Sequence, residues 1–135
     1  MRSELIYLAV PYSHPDRCVR VSRWIAANQV AAKLMIAKQY VFSPISHTHP
    51  IAEASEGKLP IEWGFWEGFD RQYLSFCKKI VVLRIPGWEE STGVQAEIKI
   101  GAEMGIPVEY MDWDMPMKYE DILELCKFQE TLKRT

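Results

Sequence analysis

The apolar positions of this chain fall into short continuous runs separated by longer amphipathic stretches. LIYLAV (5–10), KIVVLRI (79–85) and IPVEYM (106–111) have strand length, and the first two are apolar enough for strands buried on both faces. YVFSPI (40–45) reads as a further strand. Between them lie helical patterns over 15–38, 60–78 and 92–104, and a last one over 119–133. PYSHPD supplies turn and capping residues before the first helix. Pro60 suits the opening turn of the second. Ser91 or Thr92 can cap the third, and Gly105 ends it. The stretch 46–59 shows little periodicity and reads as a long loop carrying His47 and His49, of a length that in compact domains often signals function.

Strands and helices thus alternate, with an irregular fifth strand expected near Trp113. Alternation predicts an α/β fold: a parallel sheet of four to five strands with helices on both faces. Ligands of such sheets bind at the carboxyl ends of the strands, near the point where strand order reverses. Those ends carry Pro11-Tyr12-Ser13, the segment 43–46, Pro86-Gly87-Trp88 and Asp112.

A length of 135 residues points to one domain, 1–135, able to bury a core without disulfides. The net charge of −2 gives no electrostatic reason for nucleic-acid or anionic-membrane partners, though a small anion can still find a local site. Cys18, Cys77 and Cys126 are odd in number, distant in sequence and without a CxxC pair, which fits a reducing compartment. The first strand starts at once, without a signal-peptide pattern, and no apolar run nears the roughly 20 residues of a membrane span. The expectation is a cytoplasmic protein.

Several chemistries lack their motifs. There is no GxGxxG after the first strand, no GxxxxGK[ST] and no GxSxG. Among the acids, Glu97 stands out. On a helix over 93–105, Val94, Ile98, Gly101, Ala102 and Gly105 share the face toward the sheet, and Glu97 borders it with small Gly93 and Gly101 one turn away on either side. A carboxylate placed there is costly unless compensated. Asp70 shares a stripe with Trp63, Trp66, Tyr73, Leu74 and Cys77, where apolar neighbours raise a carboxyl pKa and suit it to proton transfer. His47 and His49 form an HxH without a visible third ligand, so no metal is assigned and His47 is read as a ligand-contacting residue. Arg17 and Arg20 share one face at the start of the first helix, with Arg23 following; a helix start favours an anion.

IYLAVPYS at the first strand, an aspartate in the helix before KIVVLRI, and STGVQAEIKIGAEMGIPV together resemble the nucleoside 2-deoxyribosyltransferase superfamily. Within it the chain is most similar to the domain of unknown function 1937 family. The most specific element is S-x-G-V-x-x-E followed by G-A-x-x-x-G-I-P-V, and the likeness runs from Tyr7 to Val108. The resemblance implies a three-layer flavodoxin-like fold and cleavage of N-glycosidic bonds. It implies Glu97 as nucleophile, Asp70 as the group assisting at the base or sugar, and Tyr7 as the residue orienting the nucleophile. It implies that Ser91, with Gly93 following, meets a phosphate or sugar hydroxyl; Ser13, Arg17, His47 and Trp88 are read as further substrate contacts from their places at strand ends, the helix start and the loop. It implies no cofactor, a small nucleoside or nucleotide as partner, and a homo-oligomer closed in part by the aromatics around Trp66. The loops PYSHPDRCVR and SPISHTHPIAEASEGKLP depart from the family's nucleotide hydrolases and transferases, and Pro11 and Tyr12 leave less room after the first strand. Two rival readings stand beside this one: a module that binds a nucleotide-derived ligand without turnover, and a metal-dependent hydrolase using His47 and His49.

Overall fold

The computed structural model describes residues 3–133. Four strands, β1 (Ile6–Ala9), β2 (Val41–Phe42), β3 (Lys79–Arg84) and β4 (Val108–Asp112), alternate with five helices: α1 (Arg17–Ile36), α2 (Pro44–Ala54), α3 (Trp63–Leu74), α4 (Thr92–Met104) and α5 (Tyr119–Lys133). All strand pairs are parallel, in the order β2-β1-β3-β4, with Tyr7 beside Phe42 on one side and Ile80 on the other. This is the flavodoxin-like order, and strand order reverses between β1 and β3.

Strand parity divides the core. Ile6, Leu8 and Val10 of the first strand segment, with Val81 and Leu83 of β3, pack against Ala26, Ala27, Val30, Ala31 and Leu34 of α1 and Tyr119 of α5. Tyr7, Ala9, Ile80 and Val82 point the other way, to Leu74 of α3 and to Val94 and Ile100 of α4. Tyr7 is therefore the one polar side chain that β1 turns toward the α3–α4 layer. Cys18 and Cys126, distant in sequence, meet as free thiols at 2.6 Å where α1 packs on α5.

The helix ends follow local chemistry. Asp16 caps α1 by accepting from the Cys18 N–H at 2.9 Å, and Ser91 caps α4 by accepting from the Val94 N–H at 3.2 Å. Gly105 closes α4 in the left-handed region.

Three sequence readings are corrected. The stretch 46–59 is not a loop throughout: Pro44 opens α2, which runs through Pro50 to Ala54. A proline at the first turn is compatible with a helix, but the second one masks the periodicity; it lacks an amide, yet packing of α2 on α1 holds the helix. The same start at Pro44 cuts the predicted strand over 40–45 to two residues. No strand forms at Trp113 among the described residues; its indole N–H donates to the Met117 carbonyl at 2.9 Å instead.

Gly87 and Gly105 both have positive φ, +95° and +71°. A Cβ on Gly105 meets open space, whereas one on Gly87 lies 2.2 Å from Nη2 of Arg23. Arg23 is buried and ties the loop after β1 to the loop after β3, donating to the carbonyls of Tyr12 (3.3 Å), Ser13 (3.2 Å) and Pro86 (3.4 Å). Gly105→Ala is expected to cost about 1 kcal/mol and Gly87→Ala about 2–3 kcal/mol in urea unfolding. Equal costs for the two variants would contradict the close approach at Gly87.

Candidate functional site

A cavity of about 510 Å³ opens at the carboxyl ends of β1 and β2. Its floor and walls come from the loop after β1 (Tyr12, Ser13), the start of α2 (Pro44, Ile45), the segment entering α3 (Ile61, Glu62), α3 itself (Trp63, Trp66, Asp70) and the start of α4 (Ser91, Gly93, Glu97). The Ser13 hydroxyl donates to the Ile61 carbonyl, and the Trp66 indole donates to the Pro60 carbonyl at 2.8 Å, so the segment before α3 is held to both sides.

Three groups meet at the cavity's inner end. Glu97 lies three residues from both Val94 and Ile100 and four from Gly101, and all four are buried. It is thus central to the buried stripe of α4 rather than at its border as expected, because Ala102 is exposed and the helix is turned accordingly. Glu97 is 5% exposed and Asp70 9%. The hydroxyl of Tyr7, itself fully buried, donates to Oε2 of Glu97.

Burial and the neighbouring Asp70 charge push the Glu97 carboxyl well above the usual carboxylate range; the Tyr7 hydrogen bond acts in the opposite direction. Burial raises Asp70 to about 6, while contact with Tyr7 and Glu97 draws it down. Burial, and then the two acids, raise Tyr7 as well, so it remains a neutral donor. Two coupled carboxylates this buried cannot both ionise cheaply, so the pair is expected to hold a proton at neutral pH.

Glu97, Asp70, Ser91, Gly93 and Ser13 all line the cavity, with Tyr7 behind Glu97. Three other sequence candidates lie elsewhere. Arg17 is exposed and ion-paired with Glu53 and Glu130. His47 is exposed on α2, its ring beside Phe42. Trp88 packs by Tyr110 toward β4, ring centroids 5.7 Å apart. His47 and His49 do not converge, since two residues apart on a helix point in different directions. His49 is buried instead, its Nδ1 2.5 Å from the Tyr12 hydroxyl and its ring 4.8 Å from that of Trp24; burial lowers its pKa. Among the described residues no group of three metal-ligating side chains converges, and no helix is long and apolar enough to cross a membrane.

The sequence reading did not assign the walls. Trp63 and Trp66 were visible only as an aromatic stripe, which equally describes core. Tyr12 and Ile45 were visible only as residues at strand ends, and Ile61, in the segment before α3, gave no local signal.

Asp70 has a folded pKa above its ordinary value of 3.8, so its contribution to stability is fully present below that value and is lost as pH rises through about 6. Glu97 acts in the same direction. Asp70→Asn is therefore expected to raise stability at about pH 8 by on the order of 2 kcal/mol, with the gain vanishing toward about pH 4. Thermal melts across that range check it; a lower melting temperature for the variant at the alkaline end would contradict the pair's costly ionisation.

No curated protein matches the chain. A family model described as Domain of unknown function (DUF1937) matches residues 4–113, from the segment leading into β1 to just beyond β4. That covers most of the 135 residues, and the chain therefore belongs to this family.

Proposed function

We propose that this protein cleaves N-glycosidic bonds of a nucleoside-like substrate, by hydrolysis or by transfer of the sugar, through a glutamate nucleophile. The proposal extends to membership of the nucleoside 2-deoxyribosyltransferase superfamily. One observation carries it: a carboxyl buried at the inner end of an open cavity, fixed by a tyrosine hydroxyl, beside a second buried carboxyl.

Breaking a glycosidic bond passes through a transition state with positive charge at the anomeric carbon, and a fixed carboxylate stabilises it or traps it covalently. A neutral base leaves more readily if it receives a proton as the bond breaks. One ionised and one protonated carboxyl is the state both tasks require; the stronger upward shift lies on Glu97, so in this reading the bound substrate draws the pair's proton to Asp70 before Glu97 attacks. In this reading Glu97 attacks, Asp70 gives and later recovers the proton, and Tyr7 aims the nucleophile. Ser13, Ser91 and the start of α4 meet the sugar hydroxyls. The aromatic walls of Trp63 and Trp66 take the base.

Glu97→Gln is expected to reduce base release by more than about a thousandfold while circular dichroism stays unchanged. Release is followed by chromatography over a panel of nucleosides and nucleotides, and undiminished release in the variant overturns the assignment. In the wild-type chain kcat/KM rises through about pH 6 as the pair goes from two protons to one, then falls when the last proton leaves. Asp70→Asn loses the acid limb; an unchanged profile would remove Asp70 from the reaction.

A further inference from the structure

Among the described residues, those lining the cavity include four acids, Glu62, Asp70, Glu90 and Glu97, and no lysine, arginine or histidine. Glu62 and Glu90 are exposed at the rim, whereas the other two are buried at the inner end. Cations do lie nearby, Arg20 beside the Tyr12 hydroxyl and Arg23 within electrostatic reach of Glu90, but neither lines the cavity. Arg23 is spent on the carbonyls of Tyr12, Ser13 and Pro86, and Arg20 on those of His14 and Pro15. The start of α4 supplies about half a positive charge. Two rim carboxylates, and the charge left on the inner pair, outweigh it. Trp63, Trp66 and Tyr12 line the same space, and aromatic faces attract cations as acids do.

We infer that the preferred ligand of this cavity is a cationic N-glycoside, one whose base bears a positive charge at or conjugated with the glycosidic nitrogen, such as a pyridinium or alkylated purine riboside, and not a nucleotide bearing a phosphate. For the bond broken, the inference rests on the glycosidase reading; for the charge preference it rests on the lining alone. A phosphate entering this cavity meets carboxylates, hydroxyls and one helix end, and no cation among the described lining residues. A cationic base is attracted by the rim and by the aromatic walls.

The chemistry balances without an external acid. The Glu97 carboxylate bonds to the anomeric carbon, the C–N bond breaks with its electron pair remaining on nitrogen, and the base leaves neutral. The shared proton leaves to solvent as the cation binds, so Asp70 is ionised; water then attacks the same carbon and passes a proton to Asp70, which releases the free sugar, restores the carboxylate of Glu97 and returns the pair to one proton. The cation also favours the ionised form of the inner pair on arrival, so the substrate itself generates the nucleophile.

Two probes without a glycosidic bond separate the charge preference from the reaction: the N-methylnicotinamide cation and neutral nicotinamide. By calorimetry on the wild-type chain, the cation is expected to bind at least about tenfold more tightly, and the preference to shrink in the double variant Glu62→Gln, Glu90→Gln. Turnover is then compared for nicotinamide riboside, inosine and inosine monophosphate. Tighter binding of the cation with cleavage of the pyridinium riboside supports the whole inference. Tighter binding of the cation with no cleavage of any of the three keeps the charge preference and removes the glycosidase reading. Equal or weaker binding of the cation overturns the inference, and cleavage of inosine or its monophosphate alongside that result leaves the glycosidase reading standing alone. Failure of both probes to bind, with no turnover, overturns both.

Discussion

The structure is organised around a buried acid pair that a single hydroxyl holds in place. Two carboxyls removed from water are costly for a domain of this size, and among the described residues no basic side chain offsets the cost. What stabilises the arrangement is the Tyr7 hydrogen bond, together with the raised proton affinity of the pair. Each of the three groups arrives from a different element: β1 supplies Tyr7 through strand parity, α3 supplies Asp70, and α4 supplies Glu97. A shift of one residue in the register of β1 would turn Tyr7 into the α1–α5 layer and leave Glu97 without its partner.

The surrounding core serves that convergence. Ile80 and Val82 of β3 and Ala9 of β1 form the sheet surface on which α4 lies. Gly101 lets the helix approach closely; a Cβ there falls 2.5 Å from the Ile80 side-chain tip. On the opposite face, Arg23 gathers the loops after β1 and β3, whose residues Tyr12 and Ser13 shape the cavity. Burial of an arginine is tolerable here because backbone carbonyls accept from it.

Much of this was legible in the sequence. Continuous apolar runs separated by helical patterns were enough for the parallel sheet, and Ser91 and Gly105 marked both ends of α4. Glu97 and Asp70 stood out because an acid among small or aromatic neighbours at helical spacing breaks the amphipathic rule, but only the family resemblance gave them chemical roles. Other features depend on long-range packing. Pro50 hid α2, so the cavity wall formed by Ile45 and Thr48 had no local signature. Arg17 has the right place in sequence for an anion site, but the turn of α1 carries it to Glu53 and Glu130. His47 and Trp88 likewise lie close in sequence to lining residues and point elsewhere. The absence of basic side chains from the cavity could be seen only once all its walls were assembled.

The most direct test is infrared difference spectroscopy of the carboxyl C=O stretch at neutral pH. The account predicts a band from one protonated, buried carboxyl in the wild-type chain, lost in Glu97→Gln, where the remaining acid no longer shares its proton with a second carboxyl. A wild-type spectrum without that band, or a band that survives unchanged in Glu97→Gln, would contradict the shared-proton pair on which the proposed chemistry rests.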